Sequence, residues 1–262
     1  MQAIILVAGQ GNRLGPLTDY CPKCLVKVQG KPILQYQLEA LSAAGFRECV
    51  IVVGHLAALV RNTIGPRYRN LSITYVENEL YDRTNNIYSL WLARTKITDD
   101  VLLLEGDLVF EPALLTDLLN APCENAAVVD RFQPFMNGTV ILARGHVADA
   151  MVLKRDQPLG FDYRAALKTV NIYKFSYEAI NDNLMPALGA YIADGATGDY
   201  YERAIADLIS NQTMRMDVVR TGLRAWAEID TVEELADAER MRSWQWPRNA
   251  DLDTPASAGV AL

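Results

Sequence analysis

Leu6-Val7-Ala8-Gly9-Gln10-Gly11-Asn12-Arg13-Leu14-Gly15-Pro16-Leu17-Thr18, taken up again at Pro22-Lys23-Cys24-Leu25 and Gly30-Lys31-Pro32, is the stretch that decides the fold. Residues 3–7 before it are uninterruptedly apolar and rich in β-branched side chains. That pattern predicts a strand buried on both faces of a parallel sheet. The strand leaves through Val7 and Ala8 into Gly9-Gln10-Gly11, where glycine permits a left-handed backbone and leaves amide N–H groups uncovered. A row of such amides binds anions, and the planar guanidinium of Arg13, after Asn12, suits phosphate oxygens. Lys23 adds a compact cation. Strand, glycine turn, arginine and lysine are together what a triphosphate requires at the carboxyl end of a first strand.

Two better-known phosphate loops are excluded. The pattern G-x-G-x-x-G would need a third glycine at Leu14, and it arrives one residue later, at Gly15. The P-loop is absent because no Gly-Lys-Ser/Thr occurs. An ordinary glycine turn is the plain alternative, but it would specify far fewer positions. The strings Ala8-Gly9-Gln10-Gly11-Asn12-Arg13-Leu14, Pro16-Leu17-Thr18, Pro22-Lys23 and Gly30-Lys31-Pro32 resemble the signature of the nucleotidylyltransferases that make NDP-sugars and related activated compounds. The resemblance implies a Rossmann-like α/β fold of the GT-A-like type, a mostly parallel (mixed) sheet flanked by helices. It also implies a reaction in which an acceptor phosphate oxygen attacks the NTP α-phosphorus and pyrophosphate leaves. The glycine loop would hold the phosphates, with Arg13 and Lys23 as the catalytic cations.

A chain of 262 residues, half of them hydrophobic, can bury a sizeable core. No apolar run is long enough to span a membrane, and Met1 leads straight into the first strand, so a cytoplasmic protein without signal peptide or membrane contact is expected. The net charge of −7, from 25 basic and 32 acidic residues, argues against a nucleic-acid surface. A basic site inside an acidic protein suits a small anionic ligand. Cys21 and Cys24 form a C-x-x-C, but Cys49 and Cys123 stand alone and no second pair completes a zinc site. All four are expected to be reduced thiols.

Downstream, apolar runs and helical periodicities alternate: helix 32–44, strand 49–53, helix 56–64, strand 71–76, helix from about 86, strand 101–104, helix 111–119, strand 126–130. Alternation predicts a right-handed parallel sheet. Strands at 139–143 and 168–175, helices at 177–194 and 199–210, strands at 214–219 and 225–231, and a helix at 231–241 follow. Residues 1–243 read as one nucleotidyltransferase domain with an acceptor-side excursion at about 130–175, and 244–262 as a flexible tail. His55 and His146 are assigned no role.

Asn85-Asn86 opens a helix, where asparagine ordinarily caps but can also present amides to a base or phosphate. The string Asn85-Asn86-Ile87-Tyr88-Ser89-Leu90 is similar to one in bacterial choline-phosphate cytidylyltransferases and relatives acting on phosphonates. This resemblance points to CTP and a small phosphate- or phosphonate-bearing acceptor. Glu77 and Glu105, at the ends of the third and fourth strands, join residues 7–13, Lys23, Asn85, Asn86 and Asp107 as candidate nucleotide contacts. Asp107 follows a buried strand and Gly106, a usual device for holding a divalent cation over a substrate crevice. Glu228 and Asp230, two apart on an expected strand, share one face and repel unless a cation sits between them. The family resemblance makes Asp107, Glu228 and Asp230 ligands of Mg²⁺; Asp230 can alternatively cap the last helix.

Arg131, Lys168, Tyr173 and Tyr201 are candidates for the acceptor, with Lys154, Arg155 and the aromatic rings of Phe132, Phe135 and Tyr163 beside them. The expected activity is CMP transfer from CTP. The alternatives are a sugar-1-phosphate nucleotidylyltransferase using UTP or dTTP, and a nucleotide-binding regulator without turnover. A homodimer is left open.

Overall fold

Residues 1–241 are the part of the chain described by the computed structural model; the tail expected from 244 lies outside them. In chain order the elements are β1 (Gln2–Val7), β2 (Lys27–Val28), β3 (Lys31–Pro32), α1 (Ile33–Ala43), β4 (Glu48–Val53), α2 (Ala57–Ile64), β5 (Arg67–Tyr68), β6 (Leu71–Glu77), α3 (Asn86–Leu92) and β7 (Val101–Glu105). Then come β8 (Leu108–Phe110), α4 (Ala113–Asn120), β9 (Ala126–Arg131), β10 (Val140–Arg144), β11 (Val147–Val152), β12 (Ala166–Phe175), α5 (Met185–Ala193), α6 (Glu202–Ser210), β13 (Asp217–Arg220), β14 (Trp226–Glu228) and α7 (Val232–Arg240).

Ten strands form one mixed sheet in the order β10-β11-β13-β9-β12-β7-β1-β4-β6-β5. Strands β7, β1, β4 and β6 run parallel, with Ile4 opposite Val50 on one side and Leu103 on the other. From β1 the chain moves outward to β4 and β6, then returns to place β7 on the opposite flank of β1. This reversal leaves a crevice at the carboxyl ends of β1 and β7, where open α/β sheets bind ligands.

The apolar run of β1 feeds two cores because successive side chains point to opposite faces. Ile4 and Leu6 pack with Ile87, Leu90, Leu188 and Ile205 on the face covered by α3, α5 and α6. Ala3, Ile5 and Val7 pack with Leu34, Leu38, Val60 and Leu115 beneath α1, α2 and α4. A third cluster, with Leu14, Val28, Val109, Ile229 and Ala238, seats α7 beside the crevice.

Several elements differ from the sequence expectation. The strands expected within 130–175 belong to the main sheet, and β11 joins them; its Ala148-Asp149-Ala150 core has weak strand preference and is held by pairing with β10. The expected helix 177–194 opens with a π-helical turn, Ala179–Leu184, before α5. Pro186 lacks an amide donor, so a regular ladder cannot run through it. The expected strand 225–231 shrinks to β14, which pairs with β8 in a two-stranded sheet of its own. Asp230 therefore lies beyond the strand, and Thr231, not Asp230, caps α7, through a capping box with Glu234.

Candidate active site

The loop leaving β1 turns through Gly11 in the left-handed region at φ 71° and passes into a 3-10 turn from Asn12. A Cβ on Gly11 would stand 3.0 Å from the Cβ of Lys23, so the lysine stem runs directly against the glycine loop. Val7, Ala8, Gly9, Gly11, Asn12 and Arg13 line a cavity of about 1330 Å³ at the crevice. Lys23, Asn85, Asn86, Glu105 and Asp107 line it too, as do Lys168, Glu228 and Asp230 from the far end of the chain.

Lys23 Nζ lies 2.7 Å from Asp107 Oδ2 and also touches Asp230 Oδ1. Burial works against its charge, but the two carboxylates more than offset this and hold its pKa above the ordinary lysine value. Arg13 Nη2 lies 2.8 Å from Asp230 Oδ2. Burial pushes the Asp230 carboxyl up, yet Lys23 and Arg13 bring it below the ordinary aspartate value. Lys168, almost fully buried, sits 3.2 Å from Glu228 and donates to the Thr169 carbonyl at 2.7 Å. Burial raises the Glu228 pKa, with Lys168 opposing.

Oxygens of Asp107, Glu228 and Asp230 all lie within 4.8 Å of one another. Asp107 Oδ1 is buried with no hydrogen-bond partner. Three clustered carboxylates, one of them with an unpartnered oxygen, fit a divalent cation of the Mg²⁺ type. They could hold one.

The Asn85-Asn86 pair does two jobs. Asn85 Oδ1 accepts from the Asn86 amide at 2.8 Å, an N-cap arrangement for α3. Asn86 then spans the cavity wall: its Nδ2 donates to Glu105 at 3.0 Å, and its Oδ1 accepts from the Tyr201 amide at 3.0 Å. Glu202, at the start of α6, also faces Asn86 and lines the cavity. Burial pushes the Glu202 pKa up to about 7, and burial with Asp107 and Glu202 nearby raises that of Glu105 well above the ordinary value.

Five expected contacts are corrected. Tyr173 and Tyr201 are fully buried and pack edge to face in the core, 5.9 Å between ring centroids, so neither lines the cavity. An aromatic ring midway along a central strand goes where the sheet face takes it, here inward. Arg131 is exposed at the end of β9, outside the cavity. Glu77 sits 46% exposed and pairs with Arg61 at 2.5 Å, away from the cavity. Gln10 faces a separate small hollow shared with Thr18 and His55. His55 itself contacts the Thr18 carbonyl at 3.2 Å, a structural role.

Sequence reasoning missed Asn171, whose Nδ2 donates to Glu228 at 3.1 Å. It sits at φ 59° where the β9–β12 register shifts, and such a bulge turns a side chain that regular pleating would hide. Its one visible signal was an asparagine inside an apolar strand. Glu202 falls inside the expected helix 199–210, where a glutamate in a first turn carries no signal of its own. Arg155 and Asp199, 2.5 Å apart, were likewise unforeseen as a pair that ties the β11 exit to the α6 entrance.

The fold and this arrangement define a nucleotidyltransferase-type site, and the MobA-like NTP transferase domain matches residues 3–171. The chain belongs to that family. It is 38% identical over 231 residues to CMP-5'-(3-aminopropyl)phosphonate synthase of Streptomyces rubellomurinus, covering 88% of this chain and 37% of that protein. It is 28% identical over 194 residues to the CTP:phosphoglutamine cytidylyltransferase of Campylobacter jejuni, covering 70% of this chain and 76% of that one. It is also 34% identical over 118 residues to the choline-phosphate cytidylyltransferase of Streptococcus pneumoniae, covering 45% of this chain and half of that protein. The chain thus spans well under two thirds of the first and third of these relatives. The solved CTP:phosphocholine cytidylyltransferase of Streptococcus pneumoniae superposes with a TM-score of 0.73 over 91% of this chain and 97% of that one, at 21% identity, a likeness of fold. Among the described residues no helix is long and apolar enough to cross a membrane.

Proposed function

We propose that this chain transfers CMP from CTP to a small acceptor carrying a phosphate or phosphonate, with release of pyrophosphate. The observation that carries the reading is the convergence of Arg13, Lys23, Asp107, Glu228 and Asp230 on one cavity beside the glycine loop. Amides of residues 9–12 would hold the triphosphate, and Arg13 and Lys23 would neutralise its oxygens. The acceptor oxygen is already anionic near neutral pH, so attack needs no general base. A bond forms from that oxygen to the α-phosphorus, and the bond from the α-phosphorus to the oxygen bridging to the β-phosphate breaks. Catalysis is then positioning and charge neutralisation. Asp107, Glu228 and Asp230 would hold Mg²⁺, which when bound supplies further positive charge to the phosphates.

The relatives named for cytidylyl transfer to aminopropylphosphonate, phosphoglutamine and phosphocholine support CTP as the donor. Glu105 and Glu202 line the same cavity with their charged forms disfavoured by burial, a cost that the ammonium of an amine-bearing acceptor would offset. The test is a nucleotide panel with Mg²⁺ and an acceptor set of phosphocholine, aminoalkylphosphonates and sugar 1-phosphates, with products read by mass spectrometry. A CMP adduct of an amine-bearing phosphate or phosphonate is expected. UDP- or dTDP-sugar formation would replace the reading with sugar-1-phosphate chemistry, and nucleotide binding without pyrophosphate release would make the chain a regulator.

A further inference from the structure

We infer that Lys23 is the resident counter-ion of the Asp107–Glu228–Asp230 cluster, competing with a divalent cation for it, so that the cation binds in step with the nucleotide phosphate that draws Lys23 away. This rests on the metal reading given above.

The balance of charge carries the argument. Asp107, Glu228 and Asp230 bring three carboxylates, and Lys23, Arg13 and Lys168 each pair with one or two of them. Lys23 bridges Asp107 and Asp230, which is where a cation held by both would sit. A bare divalent ion entering this compensated cluster meets like charges within a few ångströms in a partly buried site, where they are poorly screened. The orphaned Asp107 Oδ1 is the one donor left uncommitted.

Lys23 has somewhere to go. Its stem lies against Gly11, with a Cβ there 3.0 Å from Lys23 Cβ and 3.4 Å from Lys23 Cδ. The ammonium group can therefore pivot from the carboxylates to an anion on the glycine loop with its stem in place. Lys168 is less free, being 3% exposed and tied to the Thr169 carbonyl. A triphosphate brings the negative charge that Lys23 and Arg13 would follow. Linkage is reciprocal, so metal and nucleotide must then raise each other's affinity by the same factor.

The experiment titrates Mn²⁺ alone, then Mn²⁺ with CTP and no acceptor, into the wild-type chain, Lys23→Met and Arg13→Ala. Free Mn²⁺ is read by electron paramagnetic resonance, with CTP-bound metal counted separately. Without nucleotide, Lys23→Met is expected to bind Mn²⁺ about tenfold more tightly than wild type, the scale of one charge-assisted hydrogen bond. Arg13→Ala, whose side chain is 66% exposed and whose loss should leave the fold intact, falls between them. CTP should tighten Mn²⁺ binding in the wild type and do so much less in Lys23→Met. Equal Mn²⁺ affinities in all three proteins overturn the inference. If Lys23→Met fails to fold, the Arg13→Ala comparison decides. Saturable binding in none of them removes the metal reading along with the inference. The CMP-transfer assay is read separately, so an active enzyme with equal Mn²⁺ affinities rejects the competition and leaves the proposed function standing.

Discussion

Gly106 stands directly against Val7: a Cβ on Gly106 would lie 2.3 Å from Val7 Cγ1 and 2.7 Å from the Leu6 carbonyl oxygen. The Gly106 amide donates to that same carbonyl at 2.9 Å. The turn that presents Asp107 is thus pressed onto the end of β1, where the glycine loop begins. Gly106→Ala cannot be absorbed by a side-chain shift alone, because the second clash is with backbone. It should destabilise the chain by about 1–3 kcal/mol in denaturant unfolding, the range for overpacking, and lower the proposed CMP transfer by displacing Asp107.

Asp107→Asn keeps the shape of the side chain but removes one charge from the cluster. Turnover should fall by about two to three orders of magnitude with the circular dichroism spectrum unchanged, the range for a lost electrostatic group in a transition state. Near-normal turnover would refute the metal assignment.

Lys23→Ala should likewise cut turnover by about a hundredfold or more, since charge at the α-phosphorus loses its compact partner. Its thermal midpoint should fall as well, because Asp107 and Asp230 lose their shared cation. Unchanged kinetics would remove Lys23 from the site.

Glu202 faces Asn86, with Lys168 and Glu228 close enough to influence its charge, and burial lifts its pKa from 4.5 to about 7. A carboxyl that is more basic when folded binds more protons in the folded state between those two values. Stability is therefore lost as pH rises from 4.5 to 7 and the cost is constant above that. Glu202→Gln should relieve on the order of 2–3 kcal/mol above pH 7 and little at pH 4.5. A stability difference that does not change with pH would contradict this.

The cysteines should react unequally. Cys24 and Cys49 are buried, and burial raises both thiols, that of Cys24 up to about 12. Cys21 and Cys123 are partly exposed and only modestly raised by burial. Iodoacetamide at pH 8 should label Cys21 and Cys123 long before the other two, as read by peptide mass mapping. Fast labelling of Cys24 would revive a redox role for the C-x-x-C pair.

Local pattern on its own determined the β1 strand, its glycine exit, the alternation of parallel strands with helices, and Arg13, Lys23 and Asp107 as the groups to watch. Each of these is written in consecutive residues: an apolar run fixes burial, glycine fixes a turn, and a polar group after a strand has to emerge at its end. That Glu228 and Asp230 join Asp107 followed from the family resemblance and not from spacing; the tertiary structure brings them and Lys168 to one cavity, since their approach spans long separations closed by sheet order. It also sent Tyr173 and Tyr201 into the core and brought Asn171 and Glu202 to the cavity wall, because a bulge in β12 and the placement of the first turn of α6 set where those side chains lie. Period along a chain tells which residues share a face, while the partner that covers that face is fixed by the rest of the fold.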